Sequence, residues 1–213
     1  MNIAIIGSGV GGLSSAIRLV KKGHSVSIFE RNSTYGGKLG SLKLGAFSFD
    51  TGPSLLTMPH LIDELFALHD ENPRDYFNYI KKDIHCKYFW DDGTTFTAFS
   101  DKNKYVEEAH RKFLIEKKPL FKYFLKSKKK YDLINKLFLY RPINKLSSFI
   151  NLDTLKALIN IKLFQLFSSL HKVNNRELSN DKMVQVLNRY ATYNGSSPYL
   201  TSGIMTIIQH LEN

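Results

Sequence analysis

The sequence predicts an α/β fold that opens on a β-α-β unit and continues into a hairpin-plus-helices region of α+β character. Three observations predict it. Short apolar runs at residues 2–6 (NIAII) and 25–30 (SVSIFE) read as buried strands. Between them Leu13, Ala16, Ile17 and Val20 recur at helical spacing. From Asp101 to Leu170 the period is helical and the composition heavy in lysine.

Each element has a local cause. Lys21 and Lys22 suit the negative end of the first helix, and Gly23 supplies its stop. From Arg31 to Gly45, glycine and polar residues read as a loop or short hairpin, and Pro59 to Leu68 as a helix start with an apolar face. CKYFWDDGTTFTAF, residues 86–99, reads as a hairpin with Asp92-Gly93 in its turn. Pro119 and Pro142 are expected to break the helical stretch that follows. Leu152, Leu155, Ile159, Leu163, Leu166 and Leu170 form one stripe of a single expected helix over 152–171, and Phe167 widens it. That helix reads as a core helix, or as a tunnel wall or a segment dipping into a bilayer interface. A boundary near residue 80 divides a nucleotide-binding part, 1–80, from a helix-rich, substrate-side part, 81–213.

Composition narrows the function classes. With 43% apolar residues the 213-residue chain has the means to build a core, which argues against disorder. The net charge of +11 is concentrated between Lys102 and Arg176, where eighteen Lys or Arg face five acidic residues. Such a surface can attract nucleic acid, an anionic membrane or nothing in particular, solvated helix faces being the commonest meaning; no nucleic-acid-binding motif accompanies it, and nucleic acid is not expected as a partner. Cys86 is the single cysteine, so an intrachain disulfide is excluded and a reducing compartment is expected. The strand-like start at Asn2 is expected to leave no room for a signal peptide, and no apolar run reaches the roughly 20 residues of a membrane span. A cytoplasmic location, peripheral to the membrane, is the expectation. The histidines and Cys86 show no metal-ligand spacing, and Cys86 is expected in a buried strand.

Gly7-x-Gly9-x-x-Gly12 lies at the expected strand-to-helix junction. Gly7 permits the tight turn, Gly9 lets a pyrophosphate approach the backbone, and Gly12 allows helix and strand to pack closely. The helix N-terminus then offers free N–H groups and a positive dipole end. Glu30 closes the second strand, where a carboxylate accepts ribose hydroxyls and repels a 2′-phosphate, which disfavours NADP. A second glycine turn with a cation, Gly36-Gly37-Lys38, follows.

GxGxxG, then Glu, then GG-Lys resembles the FAD-binding opening of the amine oxidase and carotenoid desaturase superfamily. FSFDTGPS, residues 47–54, sharpens this, because Phe49, Asp50, Gly52, Pro53 and Ser54 match the F-D-x-G-P-S/T of phytoene-type carotenoid desaturases. Residues 188–212, NRYATYNGSSPYLTSGIMTIIQHLE, look like the family block that precedes a helix beneath flavin and substrate. The resemblance implies a Rossmann-like FAD-binding domain, incomplete relative to the family, with the chain matching roughly its first two-fifths. The implied cofactor is FAD, held by Gly7, Gly9, Gly11, Gly12, Glu30, Arg31, Gly37, Lys38, Asp50, Gly52 and Pro53. The implied substrate is a long apolar isoprenoid, phytoene or a related carotenoid, desaturated by flavin chemistry, with Asp153 and Lys156 as candidates for proton handling. For Asp153 a helix N-cap role is the competing expectation. A separately encoded C-terminal half is a further implied partner. The alternatives are a sister flavoprotein (hydroxycarotenoid 3,4-desaturase, carotenoid isomerase, amine oxidase) and a flavin-free fragment or basic membrane-binding module.

Overall fold

The computed structural model describes residues 1–53, 56–135, 137, 144 and 149–212. Ser54 and Pro142 lie outside the described residues. The chain divides into two compact units, Met1–Lys81 and Lys82–Asn213.

In the first unit, β1 (Asn2–Ile6) and β2 (Ser25–Phe29) pair in parallel, from Asn2 opposite Ser25 to Ile6 opposite Phe29. The crossover is α1 (Val10–Lys21), which ends where Gly23 takes a φ of +82°. The strands form where expected, but they are not buried: Ile6 is 92% exposed and Phe29 61%. Two strands with one crossover helix leave most of the apolar surface of such a sheet uncovered. An antiparallel hairpin follows, β3 (Ser41–Leu44) and β4 (Phe47–Asp50), turning at Gly45 with φ +60°. Then comes α2 (His60–Ala67). His69, just beyond it, places its Nε2 3.0 Å from the Ile17 carbonyl and so ties this end to α1.

The second unit begins with the antiparallel hairpin β5 (Ile84–Phe89) and β6 (Thr95–Phe99), whose register shifts between Ile84 and Cys86. Trp90 N–H donates to the Thr94 carbonyl at 3.0 Å and Gly93 takes φ +79°, so the turn closes around Asp91-Asp92-Gly93. Cys86 is half-buried rather than buried, at the rim of the core. Two helices follow, α3 (Lys102–Phe113) and α4 (Lys117–Ile134). The helical break falls at Leu114, left-handed at φ +55°, and not at Pro119. Pro119 sits in the first turn of α4, where its missing N–H has no intrahelical partner to lose. Leu120, Tyr123, Phe124, Ser127 and Lys130 form the buried stripe of α4. Of its other lysines, Lys117 pairs with Glu107, Lys126 with Glu177 and Lys128 with Asp132.

The helix expected over 152–171 is three: α5 (Leu152–Ile159), α6 (Ile161–Phe164) and the start of α7 (Leu170–Leu178). Gln165 ends α6 at φ +53°. The Ser202-Gly203 segment holds the gap open: Ser202 Oγ donates to the Leu166 carbonyl at 3.0 Å, and Gly203 N–H to that of Ser168 at 2.7 Å. Asn151, not Asp153, caps α5, accepting from the N–H groups of Asp153 (3.0 Å) and Thr154 (3.1 Å). Helices α8 (Asp181–Asn188) and α9 (Ile208–Glu212), joined through two 3-10 turns, complete the unit. Its core is aromatic: Phe96 meets Tyr105 edge-on at 5.2 Å between centroids, and Tyr105 meets Phe124 likewise at 5.2 Å.

Candidate dinucleotide site

The glycine loop between β1 and α1 is shaped by backbone alone. Gly7 donates its N–H to the Phe29 carbonyl at 2.7 Å and turns at φ +96°, a conformation that L side chains rarely adopt. A Cβ on Gly12 would lie 2.1 Å from the Gly7 carbonyl oxygen, so only glycine lets α1 start this close to the strand. Gly9 caps the helix without a side chain, and the first intrahelical bond runs from Leu13 N–H to the Gly9 carbonyl at 2.9 Å. The N–H groups of Val10, Gly11 and Gly12 precede that bond and point out of the positive helix end, a ready site for phosphate.

The second glycine turn is seated on this loop. Gly36 N–H donates to the Ser8 carbonyl at 2.9 Å, and Gly9 and Gly36 form a parallel bridge. A Cβ on Gly37 would stand 3.0 Å from the Gly9 Cα. The third segment closes on the second: a Cβ on Gly52 would lie 2.5 Å from the Lys38 carbonyl oxygen, and Thr51 N–H donates to the Gly40 carbonyl at 2.9 Å. Three motifs separated in sequence therefore converge through backbone approaches that any side chain would obstruct. Arg31, Lys38, Asp50 and Pro53 are exposed around them.

Glu30 is the polar anchor. One carboxylate oxygen accepts from the Ser8 N–H and hydroxyl, both at 2.8 Å, and the other from the Asn32 N–H (2.8 Å) and side-chain amide (3.0 Å). These bonds, the Asn32 N–H foremost and then those of Ser8, hold its pKa down to about 2. Four donors fill the acceptor capacity of a carboxylate, so a ribose diol meeting Glu30 would replace the side-chain donors of Ser8 and Asn32. Sequence reasoning did not single out Ser8, Asn32 or Gly40. A short hydroxyl between two loop glycines and an amide two residues after Glu30 were the available signals.

Asp153 and Lys156 both lie on α5, in the second unit, Asp153 half-buried in the first turn and Lys156 exposed. The polar groups buried in that unit were not foreseen. Glu212 accepts from Arg189 and from the Tyr193 hydroxyl (2.7 Å), while Arg189 Nε donates to the Tyr88 hydroxyl at 2.7 Å. Lys130, 2% exposed, donates to the Gln165 amide oxygen at 2.6 Å and the Thr206 hydroxyl at 2.7 Å. Burial pushes its pKa down to about 8. Among the described residues no cluster of His, Cys, Asp or Glu is arranged to hold a metal ion.

Residues 5–71 match the family described as NAD(P)-binding Rossmann-like domain. The chain is 48% identical over 208 residues, 98% of its length, to a 1-hydroxycarotenoid 3,4-desaturase from Flavobacterium sp. (strain P99-3), of which it covers 42%. It is 31% identical to a 4,4'-diapolycopene oxygenase from Methylomonas sp., with 99% of the chain and 42% of that protein covered. The chain is similar over nearly its whole length to part of these carotenoid desaturases and oxygenases. It spans about two-fifths of the length of the curated relatives it matches, corresponding to their N-terminal portion. Among solved structures, one from Pyrococcus furiosus superposes with a TM-score of 0.58 at 16% identity, covering 100% of this chain and 44% of that one. A redesigned putrescine oxidase also gives 0.58, at 13% identity, covering 98% and 41%. These likenesses concern the fold: a Rossmann-like α/β start, incomplete beside its neighbours. The cofactor class that follows is a dinucleotide of the flavin or nicotinamide type.

Proposed function

We propose that this chain forms the N-terminal part of an FAD-dependent oxidoreductase that introduces double bonds into a long isoprenoid of the phytoene or carotenoid type. The observation that carries the reading is the seating of Gly36-Gly37 on Ser8-Gly9, which adds a second backbone wall beside the helix N-terminus. A nicotinamide site built on GxGxxG alone has no use for that wall. In this reading the N–H groups at the start of α1 hold the pyrophosphate, and Glu30 receives the adenosine ribose. Gly37 permits close approach, and Lys38 supplies positive charge at the rim. When bound, FAD supplies the acceptor for hydride leaving an allylic C–H of the substrate. The exposed apolar residues of β1 and β2 support a further segment, continuous or separately encoded, that completes the sheet. A hydrocarbon dissolved in lipid also favours work at the surface of a membrane; among the described residues no helix is long and apolar enough to cross one.

A second reading is 3,4-desaturation of a 1-hydroxylated carotenoid. It is favoured by the 48% identity to the Flavobacterium desaturase, against 31% to the Methylomonas oxygenase.

Titration of the purified chain with FAD, followed by quenching of flavin fluorescence, tests the cofactor. Saturable binding that ADP competes for and that Gly12→Val weakens roughly tenfold or more is expected. Tighter binding of NAD than of FAD overturns the assignment. With the completing segment coexpressed, turnover of phytoene against a 1-hydroxylated acyclic carotenoid separates the two substrate readings.

A further inference from the structure

Glu30 is held by the protein in the manner in which a ribose would hold it. Each carboxylate oxygen carries one backbone donor and one side-chain donor. One oxygen takes the Ser8 N–H and hydroxyl, both at 2.8 Å, and the other the Asn32 N–H at 2.8 Å and side-chain amide at 3.0 Å. A backbone donor is fixed by the loop, whereas a side-chain donor can leave by changing rotamer. The two that can leave sit on different oxygens, the pattern a cis-diol needs for one hydroxyl to meet each oxygen. Their departure leaves the carboxylate charged, because the N–H groups of Asn32 and Ser8 are the two largest causes of its low pKa.

We infer that the Ser8 hydroxyl and the Asn32 side-chain amide are internal stand-ins for the ribose diol of an adenine nucleotide, competing with it for Glu30 and setting how strongly the sugar is selected. This rests on the reading above at one point, that Glu30 receives the adenosine ribose, and is indifferent to whether the dinucleotide carries flavin or nicotinamide. Each ribose hydroxyl that reaches Glu30 takes the place of a hydrogen bond already made to the same charged oxygen, so the exchange is close to even. The sugar hydroxyls therefore add little net affinity while both side chains are present. The stand-ins are unequal competitors. Asn32 is exposed, and its amide passes to water when displaced. Ser8 is 5% exposed, so its displaced hydroxyl stays inside the fold and gives up a charged acceptor with little solvent to replace it. Ser8 is the stronger competitor for that reason. Removing either side chain should strengthen nucleotide binding, the reverse of what losing a ligand contact does.

Calorimetric titration of the whole chain with ADP and with 2′,3′-dideoxy-ADP tests it, because ADP is the part that both dinucleotide types share. The unsubstituted chain is expected to bind the two within about threefold of each other. Ser8→Ala combined with Asn32→Ala is expected to tighten ADP roughly tenfold and to leave dideoxy-ADP unchanged, with Ser8→Ala alone giving the larger share. A second readout needs no substitution and so does not depend on the variants folding. In nitrogen-15 NMR of the unsubstituted chain, the Asn32 side-chain amide is expected to shift on addition of ADP and to stay in place with dideoxy-ADP. Variants that bind ADP more weakly than the unsubstituted chain, or equally, overturn the inference, as does an Asn32 amide that bound ADP leaves unmoved. The cofactor reading stands in each of those cases, whereas tighter binding of NAD than of FAD overturns that reading and leaves the stand-ins in place. Failure of ADP to bind any of these chains overturns both the stand-ins and the ribose role of Glu30.

Discussion

The two units hold their shapes by different means. Among the described residues of Met1–Lys81 only Ser8 and Ala16 are buried, whereas Lys82–Asn213 carries an aromatic core around Phe96, Tyr105 and Phe124. The first unit is positioned by backbone: left-handed glycines, missing Cβ atoms and the four hydrogen bonds on Glu30. The second is positioned by burial, the dominant favourable term in folding. A site of the first kind is written in short glycine and carboxylate motifs. A core of the second kind is assembled from residues far apart in the chain.

The largest effect expected to sharpen this contrast comes from large-to-small substitutions. Phe96→Ala should destabilise the second unit by about 3–5 kcal/mol, while Phe29→Ala, on an exposed strand, should change chain stability by less than about 0.5 kcal/mol. Denaturant unfolding of both variants is the measurement, and equal losses would break the comparison.

Next is the buried Lys130. Its folded pKa of about 8 lies below the 10.5 usual for a lysine, with burial the chief cause, opposed by Glu177 and reinforced by Lys126 and Arg176. Between those values the unfolded chain keeps a proton that the folded chain has released, so stability rises with pH across that window. The full penalty applies below pH 8, on the order of 3 kcal/mol. Lys130→Met should remove the rise, read by denaturant titrations at pH 7 and pH 10.

At the glycine loop the effect should fall on ligand binding. Gly12→Val drives a side chain into the Gly7 carbonyl and should weaken dinucleotide binding roughly tenfold or more, with the near-ultraviolet dichroism of the second unit's aromatics unchanged. The smallest effect is expected at α5. Asn151→Ala should cost about 1 kcal/mol as a lost cap, and Asp153→Asn only a few tenths through the helix dipole. Thermal unfolding that ranks the two the other way round would return the capping role to Asp153.

The legible parts of the molecule follow from these causes. The β-α-β start, the stop at Gly23 and the hairpin turn at Gly93 could all be read ahead of the structure, because each depends on a local dihedral or period that one or two residue types satisfy. The role of Ser8 is not legible in the sequence because it depends on which acceptor the residue meets, and that acceptor, Glu30, is 22 residues away, whereas Asn32 lies only two residues beyond it. Over 152–171 periodicity reports that one face is apolar and is silent on what that face meets and on where the helix breaks.

By itself the sequence determined the glycine fingerprint, the carboxylate that closes the second strand and the family resemblance, since backbone sterics act over a few residues whatever surrounds them. Only the tertiary structure decided that Ser202 and Gly203 split the apolar helix and that the leucines of α5 face outward. Those outcomes turn on hydrogen bonds and burial between segments more than thirty residues apart, and no local pattern carries that information.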